Sequence, residues 1–192
     1  MKKLLILLLL VPSLSWGADF QKGLTAASQG DYATAIKEWT PLAEQGNSYA
    51  QYNLGIMYDK GDGVVQNDKT AVKWYTLAAE QGYTLAQYNL GVKYQEGVGV
   101  VQNYKTAAKW FTLAAEQGHT SAQYNLGVMY GNGIGVLQDN IYAHMWFNIA
   151  ASSGDSKAAD NRTIVEKNMT TADISKAQEL ARQCVNKNYK DC

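Results

Sequence analysis

Between residues 47 and 154 the apolar and polar positions return with a period of 36. In the first half of each period Ala50, Leu54, Gly55 and Tyr58 are spaced by four, one and three, which gathers them on one helical face. Ala86, Leu90, Gly91 and Tyr94 repeat that face, and Ala122, Leu126, Gly127 and Tyr130 repeat it again. In the second half Ala71, Trp74, Tyr75, Ala78 and Ala79 mark another helix, echoed by Ala107, Trp110, Phe111, Ala114 and Ala115. Ala143, Trp146, Phe147, Ala150 and Ala151 mark it a third time, and Gly82, Gly118 and Gly154 close these helices. The pattern predicts an all-α protein of stacked helix-turn-helix units. A fixed period of this length is the mark of a repeat architecture, in which each unit buries its apolar face on its neighbours.

The copies are close. Ala50-Gln51-Tyr52-Asn53-Leu54-Gly55 recurs unchanged at 86–91 and 122–127, and residues 47–82 and 83–118 agree at 25 of 36 positions. A glycine inside a helix costs about 1 kcal/mol against alanine, so Gly55, Gly91 and Gly127 predict close helix-to-helix approach. The turns Gly61-Asp62-Gly63-Val64, Gly97-Val98-Gly99-Val100 and Gly133-Ile134-Gly135-Val136 carry two glycines able to take positive φ, with a valine free to plug inward.

The units at either end depart from this pattern. Residues 18–46 form a shortened first unit: helix over Phe20 to Gln29, a turn at Gly30-Asp31-Tyr32, then helix over Thr34 to Gln45 with Pro41 predicted to kink it. Units then run 47–82, 83–118 and 119–154. After Gly154 the pattern restarts with Ala158 and Asn161 and decays, and residues 155–192 are expected to cap the stack. Thr170 to Asp173 resembles a capping box opening a last helix with Ile174, Ala177, Ala181, Cys184 and Val185 on one stripe.

Lys2 and Lys3, an apolar run from Leu4 to Val11, and Ser15-Trp16-Gly17 before Ala18 have the form of a secretory signal peptide over residues 1–17. Its removal leaves 15 basic against 17 acidic residues, a mixed charge with no footprint for nucleic acid or an anionic membrane. No apolar run follows that could insert in a bilayer, so the expected location is the periplasm or the secreted fraction. In an exported chain the only two cysteines, Cys184 and Cys192, are expected to pair and pin the C-terminus, contributing roughly 2–3 kcal/mol on the chain-entropy model.

The pattern Ala-x-Tyr-Asn-Leu-Gly-x-x-Tyr, Gly-x-Gly-Val and Ala-x-x-Trp-[Tyr/Phe]-x-x-Ala-Ala-x-x-Gly over 36 residues resembles the Sel-one-like repeat, a relative of the tetratricopeptide repeat. The resemblance covers about residues 19–162, the first unit being closer to an ordinary tetratricopeptide unit. It implies a right-handed α-α solenoid whose concave face is lined by the first helix of each unit, and an adaptor role in assembly or signalling. Alignment with tetratricopeptide binding positions places Tyr52, Asn53, Ile56, Tyr88, Asn89, Val92, Tyr124, Asn125 and Val128 in that groove. Tyrosine offers a stiff surface with a hydroxyl, and asparagine pairs with a peptide unit from either end, so the row suits a protein or peptide partner. The competing reading is that these side chains stack unit on unit.

Catalytic chemistry finds little support. His144 stands where other units have Val72 and Ala108, the place of a packed interface histidine, and His119 after Gly118 is expected to be exposed. No Gly-x-Ser-x-Gly or Ser-x-x-Lys string occurs, and Gly131-x-Gly133-x-Gly135 follows no strand. No enzyme activity, metal or cofactor is expected. Two alternatives to an adaptor remain: a β-lactam or cell-wall ligand protein like the family's cysteine-rich branch, and a structural part of an envelope assembly. That branch carries a cysteine pair in each repeat, which this chain lacks.

Overall fold

The computed structural model describes residues 18–192; the signal-peptide expectation lies outside the described residues. These fold into ten α-helices with no strand among them. They are α1 (Phe20–Ser28), α2 (Tyr32–Glu44), α3 (Ser48–Lys60), α4 (Asp68–Glu80) and α5 (Thr84–Glu96). The chain continues through α6 (Tyr104–Ala115), α7 (Thr120–Asn132), α8 (Asn140–Ser152), α9 (Ser156–Glu166) and α10 (Thr171–Asn186). From α1 to α9 each helix packs on the next in sequence, which is the solenoid expected from the period.

Local chemistry explains where the helices begin and end. Asn47, Asn67, Asn103, Asp139 and Asp155 each precede a helix and accept a backbone N–H of its first turn through the side chain. At the other end Gly61, Gly97 and Gly133 cap α3, α5 and α7 in the left-handed region. The second glycine of each turn does more than bend the chain. A Cβ on Gly99 would lie 2.5 Å from the Asp68 carbonyl oxygen, and one on Gly135 would lie 2.4 Å from that of Tyr104. These turns therefore press directly on the start of the preceding unit's second helix.

The mid-helix glycines meet aromatic rings. A Cβ on Gly55 would stand 2.5 Å from the Tyr75 ring, on Gly91 2.6 Å from Phe111, and on Gly127 2.5 Å from Phe147. Tyr75 and Phe111 are buried, as are the alanines around them, so the small and large side chains interlock without room for another carbon.

Several local expectations are corrected. Tyr32 belongs to α2 and not to the turn, because the Asp31 side chain caps at Thr34. As expected, the helix runs on through Pro41, which lies close to its end, and the Pro41 carbonyl accepts from Gln45 N at 3.2 Å. Val185 is 41% exposed; Leu180 packs against the core in its place, beside buried Ala177, Ala181 and Cys184. The capping box at Thr170 and Asp173 is present in both directions.

The end of the chain is not a further hairpin. Helix α10 packs on α8, whereas α9 and α10 make little contact with each other. Its small stripe of Ala181 and Cys184 fits the bulky Met145, Trp146 and Ile149. Cys184 and Cys192 form a disulfide that folds the last residues back. Asn188, Tyr189 and Asp191 there take positive φ, a costly conformation for side-chain-bearing residues. Tyr189 is thereby laid against the core and onto Gly118.

Candidate binding groove

The nine residues assigned to the groove lie on α3, α5 and α7, and all nine are half-buried. Their rings are also held by neighbours. The Tyr52 ring sits 4.9 Å from Tyr83 and 5.9 Å from Tyr75, and Tyr88 stacks on His119 at 4.4 Å. The Tyr124 hydroxyl accepts from Asn161 Nδ2 at 3.0 Å, a link between α7 and α9. Burial raises the Tyr52 hydroxyl above its ordinary range, with Tyr83 adding to that and the Asn89 carboxamide opposing it. The repeated tyrosines thus join successive units while staying only half-buried.

His119 is half-buried, which corrects the expectation of exposure. Burial against Tyr88 holds its imidazole below the usual histidine range, and its Nδ1 accepts the Ala122 N–H at 3.2 Å. A proton on Nδ1 would abolish that cap. Because the unfolded chain binds the proton more readily, this contribution is complete above about pH 6.5 and falls as the pH drops through the folded-state value. Asparagine, which occupies the matching cap at Asn47, does not titrate. His119→Asn should therefore remove up to about 1 kcal/mol of the stability lost between pH 7 and pH 5, read from urea unfolding at both pH values. Parallel pH profiles for the two proteins would refute the assignment.

His144 is fully buried between helices, with Nε2 2.9 Å from Glu166 Oε1 of α9. It joins units, as its place in the repeat suggests. Its Nδ1 has no hydrogen-bond partner among the described residues. No group of three or more His, Cys, Asp or Glu side chains suited to a metal ion occurs among the described residues.

The repeated glutamine was the one member of the six-residue string to which the pattern assigned no role. Gln51, Gln87 and Gln123 are buried, and each donates Nε2 to the last-turn carbonyl of the preceding unit, at Ala43, Ala79 and Ala115. The carbonyl oxygens of Gln51 and Gln87 in turn accept from Gln81 and Gln117, both at 2.7 Å. Ser153 stands at the third such place, and Gln123 Oε1 has no partner among the described residues. Its unbroken recurrence among alanines was the available signal: a buried amide must be paired.

Another polar cluster occurs at a single boundary. Lys93 replaces the Met57 and Met129 of other units and is buried, and its ammonium pairs with Asp59 and, at 3.0 Å, Asp68. Tyr75 donates to Asp59 at 3.2 Å. Burial alone would lower the Lys93 ammonium, but the two carboxylates outweigh it and hold it above the ordinary lysine value.

Beyond α7 the groove deepens into a cavity of about 520 Å³ between α7 and α9, with Phe147 of α8 among its lining residues. Of the nine groove residues, Tyr124 and Val128 line it. Asn125 and Val128 face a smaller hollow of about 410 Å³ toward α5.

Helix pairs stacked at a 36-residue period define an α-helical repeat scaffold. The chain belongs to the Sel1 repeat family, whose pattern matches residues 48–83, 84–119 and 120–155. Repeats of this family generally mediate protein–protein interaction. Among solved structures the chain is similar to a Sel1 repeat protein from Oxalobacter formigenes, with 35% identity and a TM-score of 0.71 over 77% of this chain and 59% of that one. It is also similar to a protective antigen with an SLR fold present in uropathogenic Escherichia coli strains, with 32% identity and a TM-score of 0.56. That likeness covers 88% of this chain and 45% of the other, so the chain spans roughly half the length of each relative. No curated protein matches the chain.

Proposed function

We propose that this protein is exported and acts, without catalysis, as a scaffold that holds another protein or a peptide in the groove along α3, α5 and α7. The observation that carries the reading is the uncharged row of half-buried tyrosines, asparagines and aliphatic residues at the nine groove positions. Such a surface is already ordered by the stack, so little conformational entropy is lost on binding. A mixed polar and aromatic ligand suits it better than an acidic tail, since none of the nine residues is basic. Export, to the periplasm or beyond, is supported by the form of residues 1–17 and by the disulfide, which persists in oxidising compartments. No described helix is long and apolar enough to cross a membrane.

The tyrosines also pack between units, so truncating them would confuse folding with binding. Ile56→Lys, Val92→Lys and Val128→Lys together place charge in the groove at half-buried sites from which the ammonium can reach water. Crosslinking capture from an envelope extract should yield a specific partner with the natural protein and lose it with the triple variant, while the circular dichroism of the two agrees. Capture of the same partner by both proteins would move the contact to another face and refute the groove.

A further inference from the structure

The repeats are close copies, and equivalent hollows open at two successive boundaries. The one between α7 and α9, about 520 Å³ against about 410 Å³ between α5 and α7, is the larger of the two, and particular residues account for that. Gly131 stands where the two preceding units carry Asp59 and Gln95, so a side chain is missing from the wall. Val165 falls at the place of Met57, Lys93 and Met129 and is shorter than any of them. Phe147, like Phe111 before it, lacks the hydroxyl of Tyr75. Two reductions, at Gly131 and Val165, thus set this boundary apart from the preceding one.

What remains around the space has a definite chemistry. Val128, Phe147, Ile164 and Val165 supply apolar surface, and no lining residue is charged. The rim carries five carboxamides, Asn132, Gln138, Asn140, Asn161 and Asn168, with the Tyr124 hydroxyl among them. Several already use their donors: Asn132 Nδ2 bonds Val128 O at 2.9 Å, and Gln138 Nε2 bonds Gly131 O at 2.9 Å. Their oxygens are therefore presented as acceptors. Asn161 donates to the Tyr124 hydroxyl, which keeps its own proton for a ligand carbonyl. Asn140 and Asn168 make no side-chain hydrogen bond among the described residues and can do either.

A charged ligand group placed here would find no counter-charge to offset the water it gives up. An amide is matched at both its N–H and its C=O. A volume of about 520 Å³ lies within the usual range for a ligand site, enough for a few residues of extended chain. We propose that the cavity between α7 and α9 is the anchoring subsite of the groove and takes an uncharged peptide segment bearing one apolar side chain. This rests on the groove reading and narrows it to one place and one chemistry.

The cavity can be refilled with what the other units carry. A Cβ on Gly131 would find its nearest neighbour, Ala143, at 3.7 Å, ordinary contact, so Gly131→Gln with Val165→Met narrows the space toward that of the preceding boundary, which carries Gln95 and Met129, without forcing the helices apart. The probes are tetrapeptides acetylated and amidated at their ends, with a central leucine, glutamate or lysine, and free N-acetylglucosamine. Nitrogen-resolved NMR of the full mature chain follows the side-chain amides. The leucine peptide should shift Asn132, Gln138, Asn140, Asn161 and Asn168, with at least tenfold weaker binding for the charged peptides and for the refilled variant. Shifts confined to Asn53 and Asn89 of α3 and α5 would overturn the cavity assignment and leave the groove standing. Response to the sugar but not the peptides would overturn the peptide class. No response on α3, α5, α7 or α9 would overturn both the subsite and the groove.

Discussion

Gly91→Ala should destabilise the protein by about 1–3 kcal/mol, although alanine is the better helix former. The added Cβ would stand 2.6 Å from the Phe111 ring, which is fully buried and held by alanines on every side. Overpacking of a filled core costs about 1–3 kcal/mol or more, against a propensity gain of about 1 kcal/mol. Gly131 in the next unit supplies the contrast. It also lies inside a helix, but its Cβ would make only ordinary contact, with Ala143 at 3.7 Å, so Gly131→Ala should stabilise by several tenths to about 1 kcal/mol. Urea unfolding of the two variants measures the opposite signs. Combining Gly91→Ala with Phe111→Leu should recover part of the loss, giving a coupling of at least about 1 kcal/mol in a double-mutant cycle. Equal stabilisation by both alanines would mean that the glycine–ring contact does not set the spacing of the helices.

Lys93→Ala should cost about 2–4 kcal/mol, for a different reason. The change leaves Asp59 and Asp68 facing each other across a unit boundary without their shared cation, and breaking a buried pair is worth about 3–5 kcal/mol. The expectation is set lower because the two carboxylate side chains remain 28% and 33% exposed. The next boundary shows the apolar alternative, with Gln95, Phe111 and Met129 at the matching places. Converting the first boundary to the second, with Asp59→Gln, Tyr75→Phe and Lys93→Met together, should return stability to within about 1 kcal/mol of the natural protein. Removing both members of a buried ion pair together is often neutral or better, and Asp68, 33% exposed, is left to water. Urea unfolding of the single and triple variants tests both. A cost below about 0.5 kcal/mol for Lys93→Ala would show that solvent screens the cluster.

These two sites show what could be read along the chain and what could not. Gly91 and Phe111 were legible because their relation is internal to a unit. A helix-breaking glycine that recurs at every period, followed 20 residues later by a ring, implies that the two meet. Lys93 was not. It occupies a core position, and nothing along the chain says that Asp59 and Asp68 reach it. The buried glutamines gave a signal in their recurrence, but their partners, Gln81 and Gln117, lie 30 residues on and belong to the following helix.

The nine groove residues were placed by resemblance, and the structure sets them half-buried on the first helices, in contact with the next unit and still reachable. His119 was misjudged because residues that follow a helix-closing glycine are ordinarily in solvent. Here the ring finds Tyr88 on the neighbouring helix at 4.4 Å.

By itself the sequence determined the period, the helix pairs, the turns, the close approach at the glycines and the family. All of these rest on spacings of one to four residues or on a repeat of 36, which local backbone geometry converts directly into faces and turns. Only the tertiary structure decided that α10 returns to α8, that Tyr189 lies over Gly118, and that the last boundary opens between α7 and α9. Those features depend on the volumes of side chains that meet across units. Near-identical repeats hide such differences until Gly131 and Val165 are placed face to face with the residues they fail to fill.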